Sequence, residues 1–145
     1  MELFIDADGC PVTNIAIGLA KQSGIPCTLI CDTAHEMQRD GARTITVSKG
    51  ADSADFALVN LVKTGDIVVT QDYGLAAMCL SRGAVPIHQD GMVYTNDNID
   101  SLLFFRAAAK KVRNAGGRLK GPSRRTGDQD RAFEAALRKL LEACL

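Results

Sequence analysis

Leu3-Phe4-Ile5-Asp6-Ala7-Asp8-Gly9-Cys10-Pro11 decides how the rest of the chain is read. Three apolar residues run into two carboxylates at i and i+2, then a Gly, then a Pro suited to opening a helix. A short apolar run bounded by breakers reads as a buried strand. Asp6 and Asp8 therefore stand at its carboxyl end, the rim where open α/β sheets bind ligands. Two carboxylates held close repel, so such a pair usually shares a cation or a proton. The plain alternative is a solvated loop with two turn-forming Asp residues, but a turn does not require both acids directly after a buried strand.

Working outward, strand and helix patterns alternate. Pro11 should sit in the first turn of a helix with apolar positions at Ile15 and Leu19, capped by Gly24. Strands are expected over residues 26–31, 44–47, 67–70 and 85–88. The helix after the third strand should be capped by Asp52 or Ser53, with Phe56, Leu58, Val59 and Val62 inward. Another helix is expected over residues 74–82. Asp90-Gly91 signals a hairpin into a short strand over residues 92–94. Asn96 or Asp97 should cap a helix reaching residue 115. Asp128 should open the last helix, with Phe133, Leu137, Leu140, Leu141 and Cys144 on its apolar face. This alternation predicts one α/β domain over residues 1–145, a mainly parallel sheet in a three-layer α/β/α arrangement. Strands 2–6 and 66–70 should lie side by side in the middle.

The chain has 145 residues, 46% hydrophobic and 23% charged, ordinary values for a globular protein. No apolar run approaches membrane-spanning length, and no signal peptide is evident, so no membrane partner is expected. Five scattered cysteines without a CxxC pair suit a reducing compartment, the cytoplasm, better than disulfides or structural zinc. His35 and His88 accompany no acid at ligand spacing and read as surface or core residues. Cys10 lies near a helix start that could activate a thiol, but no His is placed to serve as its base.

The net charge is zero but unevenly spread. Residues 1–100 hold 6 Lys and Arg against 13 Asp and Glu, whereas residues 101–145 hold 11 against 4. Eight basic residues and no acid occupy residues 106–125. A basic helix-loop-helix segment over residues 98–145 could grip a polyanion beside the acidic part.

Three acidic stations result. Asp6 and Asp8 follow the first strand, Asp52 and Asp55 share a helix face after the third, and Asp72 follows the fourth. In a parallel sheet these can converge on one rim. Oxygen-only ligands suit Mg²⁺ or Mn²⁺, and the matching chemistry is metal-assisted phosphodiester hydrolysis. Lys49 and the basic residues Arg118, Lys120, Arg124, Arg125 and Arg131 would hold a nucleic-acid backbone.

The motifs DADGCP at 6–11, ADSAD at 51–55, GDIVVTQDYGLA at 65–76 and GPSRRTGDQDRAFEAAL at 121–137 resemble the YaiI/YqxD family of bacterial proteins across essentially the whole chain. That resemblance implies a fold similar to PIN-like nucleases, and with it a metal-dependent, ribonuclease-type hydrolase acting on RNA. PIN-like sites place acids after the first strand, in a central helix and after the fourth strand within a T-x-D pattern. Asp6, Asp55 or Asp52, and Asp72 of Thr70-Gln71-Asp72 match those positions, with Asp8 in support. Such enzymes often carry a further acid just beyond the T-x-D. Here Tyr73 and Gly74 follow, which implies a weakened second metal site. Two other readings remain open. Phe4 to Gly9 also resembles the opening motif of haloacid-dehalogenase-type phosphatases, with Asp6 as nucleophile, Asp8 as general acid, and Ser48 and Lys49 standing in for later motifs. A nucleic-acid-binding module without catalysis would keep the basic segment and use the acids structurally or not at all.

Overall fold

The computed structural model describes residues 1–32, 38–48, 53–117 and 124–143. His35, Lys49, Asp52, Arg118, Lys120 and Cys144 lie outside the described residues. In chain order the elements are β1 (Leu3–Asp6), α1 (Thr13–Ser23), β2 (Cys27–Asp32), β3 (Arg43–Val47), α2 (Ser53–Leu61), β4 (Ile67–Val69), α3 (Tyr73–Ser81), β5 (Val85–Ile87), α4 (Asn96–Asn114) and α5 (Gly127–Ala143).

The five strands form one sheet in the order β3-β2-β1-β4-β5, and every pair is parallel. β1 lies at its centre because Leu3, Phe4 and Ile5 are apolar in succession and can be buried on both faces at once. Leu3 and Ile5 face one layer, with Leu29, Val69, α1 and the Phe133, Leu137 and Leu141 stripe of α5. Phe4 faces the other, with Ile30, Val68, Leu58 of α2 and Leu75 and Cys79 of α3. The result is the expected three-layer α/β/α arrangement. Helix α4 lies outside these layers and packs on α3 through Ile99, Leu102 and Leu103.

The chain runs outward from β1 through β2 to β3, then returns to the other side of β1 as β4 and continues to β5. The connections diverge between β1 and β4. This is the switch point whose crevice, beyond the strand carboxyl ends, receives ligands in open α/β sheets. Leu3, Phe4 and Ile5 pair with Ile67, Val68 and Val69, so the segments carrying Asp6 and Asp72 leave the sheet side by side.

Several local expectations change. The segment 92–94 is no strand: Val93 makes a single antiparallel bridge to Ile87. The chain then leaves the sheet because Thr95 caps α4 in a reciprocal box with Asn98, and so replaces Asn96 and Asp97 as the cap. Pro11 precedes α1 instead of entering it. A turn closed by the Cys10 N–H on the Ala7 carbonyl comes first, and Val12 takes the cap position. Phe56 is not in the core but 60% exposed on α2, because Leu58 of the helix and Val62 just past its end are what pack inward.

Candidate functional site

Asp6 is the last residue of β1, half-buried at the switch point. Its Oδ2 accepts a hydrogen bond from the Thr70 hydroxyl at 2.9 Å. The same hydroxyl oxygen accepts the Asp72 N–H at 3.0 Å. One buried Thr side chain thus ties the ends of β1 and β4 together and fixes Asp6 relative to Asp72. Tyr94, fully buried, holds the other side of this corner by donating its hydroxyl to the Thr70 carbonyl at 3.1 Å.

Burial pushes the Asp6 carboxyl up to about 6 from an ordinary 3.8. The Thr70 hydrogen bond opposes that rise, and the nearby charges of Asp55, Asp72 and Asp8 add to it. The three acidic stations therefore feel one another across one rim, although they are far apart in sequence. Asp8 reaches the next strand: its Oδ2 accepts the Asp32 N–H at 3.2 Å. Asp66, by contrast, is structural. At the opposite end of β4 it is buried and accepts N–H bonds from Glu2 at 2.9 Å and Lys63 at 2.8 Å.

Asp72 also sets the start of α3. It is the N-cap of α3, its Oδ1 accepting from the Gly74 N–H at 2.9 Å and the Leu75 N–H at 3.2 Å. The same oxygen lies 3.5 Å from Nη1 of Arg106 on α4. A groove of about 350 Å³ opens here, lined by Asp55, Phe56, Asp72, Leu75, Met78 and Arg106. Arg106 belongs to the basic block, but nothing in its spacing singles it out. Only the packing of α4 on α3 brings it to the acids.

The other basic candidates are dispersed. Arg124 is exposed ahead of α5. Arg125 is committed to joining two elements: Nε meets Asp130 at 2.8 Å, Nη1 meets Asp90 at 2.5 Å, and Nη2 donates to the Gln89 carbonyl at 2.7 Å. Arg131 pairs with Asp128 one helical turn away. Lys110, Lys111 and Arg113 stand exposed along α4, which also exposes Phe104 and Phe105.

The remaining titratable groups do not favour nucleophilic chemistry. Burial pushes the Cys10 thiol up, so it is no activated thiolate. Burial also lowers His88, whose Nδ1 accepts the Asp90 N–H at 3.1 Å and whose ring packs against Tyr73 and Tyr94. The four described cysteines, Cys10, Cys27, Cys31 and Cys79, are free thiols. Among the described residues no helix is long and apolar enough to cross a membrane.

For a divalent metal the donor chemistry fits: hard oxygen ligands and a half-buried carboxylate whose charge the fold opposes. Among the described residues no three His, Cys, Asp or Glu side chains stand close enough to hold one ion together.

Fold and site together define a class, an α/β/α protein with an all-parallel sheet and a carboxylate rim at its switch point. The chain belongs to the family described as "Uncharacterized BCR, YaiI/YqxD family", whose model matches residues 4–143. It is 52% identical to the UPF0178 protein of Exiguobacterium sibiricum over 97% of this chain and 96% of that one. It is 49% identical to the UPF0178 protein of Clostridium acetobutylicum, over 97% of each. No solved structure matches the chain.

Proposed function

We propose that this protein is a Mg²⁺- or Mn²⁺-dependent phosphodiester hydrolase of the PIN-like ribonuclease type. It acts on RNA in the cytoplasm, and the whole chain works as one unit. The observation that carries this reading is Asp6: a carboxylate placed at the switch point, opposed by burial and by three neighbouring acids, and held by a buried hydroxyl. Such a group is poorly stabilised by the protein alone, and a cation would restore its balance.

One or two of Asp6, Asp55 and Asp72 would hold the ion directly, and the others, with Asp8 and Asp52, would act through its bound waters. When bound, it supplies Lewis acidity toward the phosphodiester and its attacking water. The chain's own residues do the rest. Thr70 keeps Asp6 oriented through its hydroxyl, and the cap bonds to Gly74 and Leu75 keep Asp72 from swinging away. The exposed cations of α4 and Arg124 meet the phosphate backbone, joined by Lys49, Arg118 and Lys120.

The spacing of the described acids favours a second reading, a nucleic-acid-binding module without turnover. One paired measurement separates the two: cleavage of labelled RNA with Mn²⁺ by the wild type and by Asp6→Asn. The hydrolase reading expects the variant to lose activity by orders of magnitude while staying folded. Equal cleavage by both proteins would assign the activity elsewhere, and RNA binding without any cleavage would leave the binding module.

A further inference from the structure

We infer that Arg106 is the residue that grips the phosphate at the acidic rim, and that its ion pair with Asp72 is the contact the phosphate displaces. This rests on the reading of the rim as a phosphodiester site and assigns the residue that meets the substrate's charge there.

Arg106 is the basic side chain lining the groove that also holds Asp55 and Asp72. Its Nη1 approaches Asp72 at 3.5 Å, while the two side chains remain 55% and 36% exposed. An ion pair this long and this exposed contributes little to stability and is easily exchanged. A guanidinium offers a planar fork that matches phosphate oxygens in pairs, and a phosphate can outcompete one distant carboxylate oxygen.

The local sequence keeps the space for this approach. Gly74 follows Asp72 by two residues, and a Cβ there would lie 3.3 Å from Asp72 Oδ1 and 3.4 Å from Arg106 Nη1. The glycine leaves both groups unobstructed, where a Cβ would touch each of them. The groove wall beyond it carries exposed Phe56, an apolar surface next to the cation that suits a nucleobase beside its phosphate. When phosphate draws the guanidinium off, Asp72 loses a competing positive neighbour and becomes a better cation ligand. Substrate and metal therefore assist each other through Arg106.

The test uses the full chain as wild type, Arg106→Gln and Arg106→Lys, with two readouts besides turnover. Mn²⁺ affinity is read by electron paramagnetic resonance without RNA. Affinity for a short fluorescein-labelled single-stranded RNA is read by anisotropy in Ca²⁺, across a salt series. Arg106→Gln should bind RNA roughly tenfold more weakly, as for loss of one charge-assisted contact, and its salt slope should fall by about 0.7. Its Mn²⁺ affinity should rise severalfold, and an unchanged affinity would remove the coupling between substrate and metal. Arg106→Lys should keep the salt slope but recover only part of the RNA affinity. Unchanged RNA affinity in Arg106→Gln overturns this inference and leaves the hydrolase reading intact if Asp6→Asn still abolishes cleavage. Weaker Mn²⁺ binding in Arg106→Gln overturns it too, because Arg106 would then be holding the carboxylates in place. A wild type that binds no RNA overturns both readings.

Discussion

Asp6 is a carboxylate whose ionisation the fold opposes, and this sets a pH dependence. Its folded value of about 6 exceeds the ordinary 3.8. Below pH 4 the group is protonated in folded and unfolded chains alike and costs nothing. Between pH 4 and 6 the folded state retains more protons than the unfolded one, so stability falls as pH rises. Above pH 6 the penalty is fully present. In EDTA, the wild type should therefore lose stability across this window relative to Asp6→Asn. The two proteins should converge near pH 3.5 and differ by on the order of 3 kcal/mol at pH 7. Urea unfolding at several pH values measures it, and a constant difference from pH 3.5 to 7 would contradict it. Saturating Mn²⁺ should cancel the wild type's disadvantage, because a ligand that binds only the folded state stabilises it.

At the scale of the element, α3 is capped by a residue that the proposed function would also use in the site. Asp72 caps the helix through Gly74 and Leu75 and also faces Arg106 and the groove. Two substitutions separate the roles. Asn caps about as well as Asp, so Asp72→Asn should unfold within about 0.5 kcal/mol of the wild type, yet lose Mn²⁺ affinity and cleavage. Asp72→Ala should lose these and about 1 kcal/mol of stability besides. Thermal melts with Mn²⁺ titration check this; equal melting of the two variants would remove the cap from the account. Helix α4 shows the reverse economy. Ile99, Leu102 and Leu103 fasten it to α3, and most of its remaining length is left to solvent. It is therefore able to present Arg106 at one end of a basic surface.

Over the whole molecule the charge is segregated: residues 1–100 carry 13 acids against 6 bases, and the remainder 4 against 11. Affinity for RNA should then fall steeply with salt, by about 0.7 in logarithmic slope for each phosphate neutralised. Replacing Lys110 and Lys111 by Gln together should flatten that slope by about 1.4. Salt-insensitive binding would remove nucleic acid from the proposal.

The sequence by itself determined the sheet and its layers. The runs at 3–5 and 67–69 are apolar residue by residue, 27–31 is broken only by Thr28, and a parallel sheet covered on both faces buries such strands. The T-x-D at 70–72 and the acids at 6 and 8 could be placed on one rim for the same reason. What the sequence left open depends on contacts between elements distant along the chain. The exposure of Phe56, the sharing of the Thr70 hydroxyl between Asp6 and Asp72, and the engagement of Arg125 with Asp90 and Asp130 carry no periodic or spacing signal. Arg106 is the clearest case: one base among eight in its stretch, selected only by how α4 docks on α3. Burial of apolar runs is a local property that composition records, whereas the meeting of two polar side chains 34 positions apart is decided only when the helices pack.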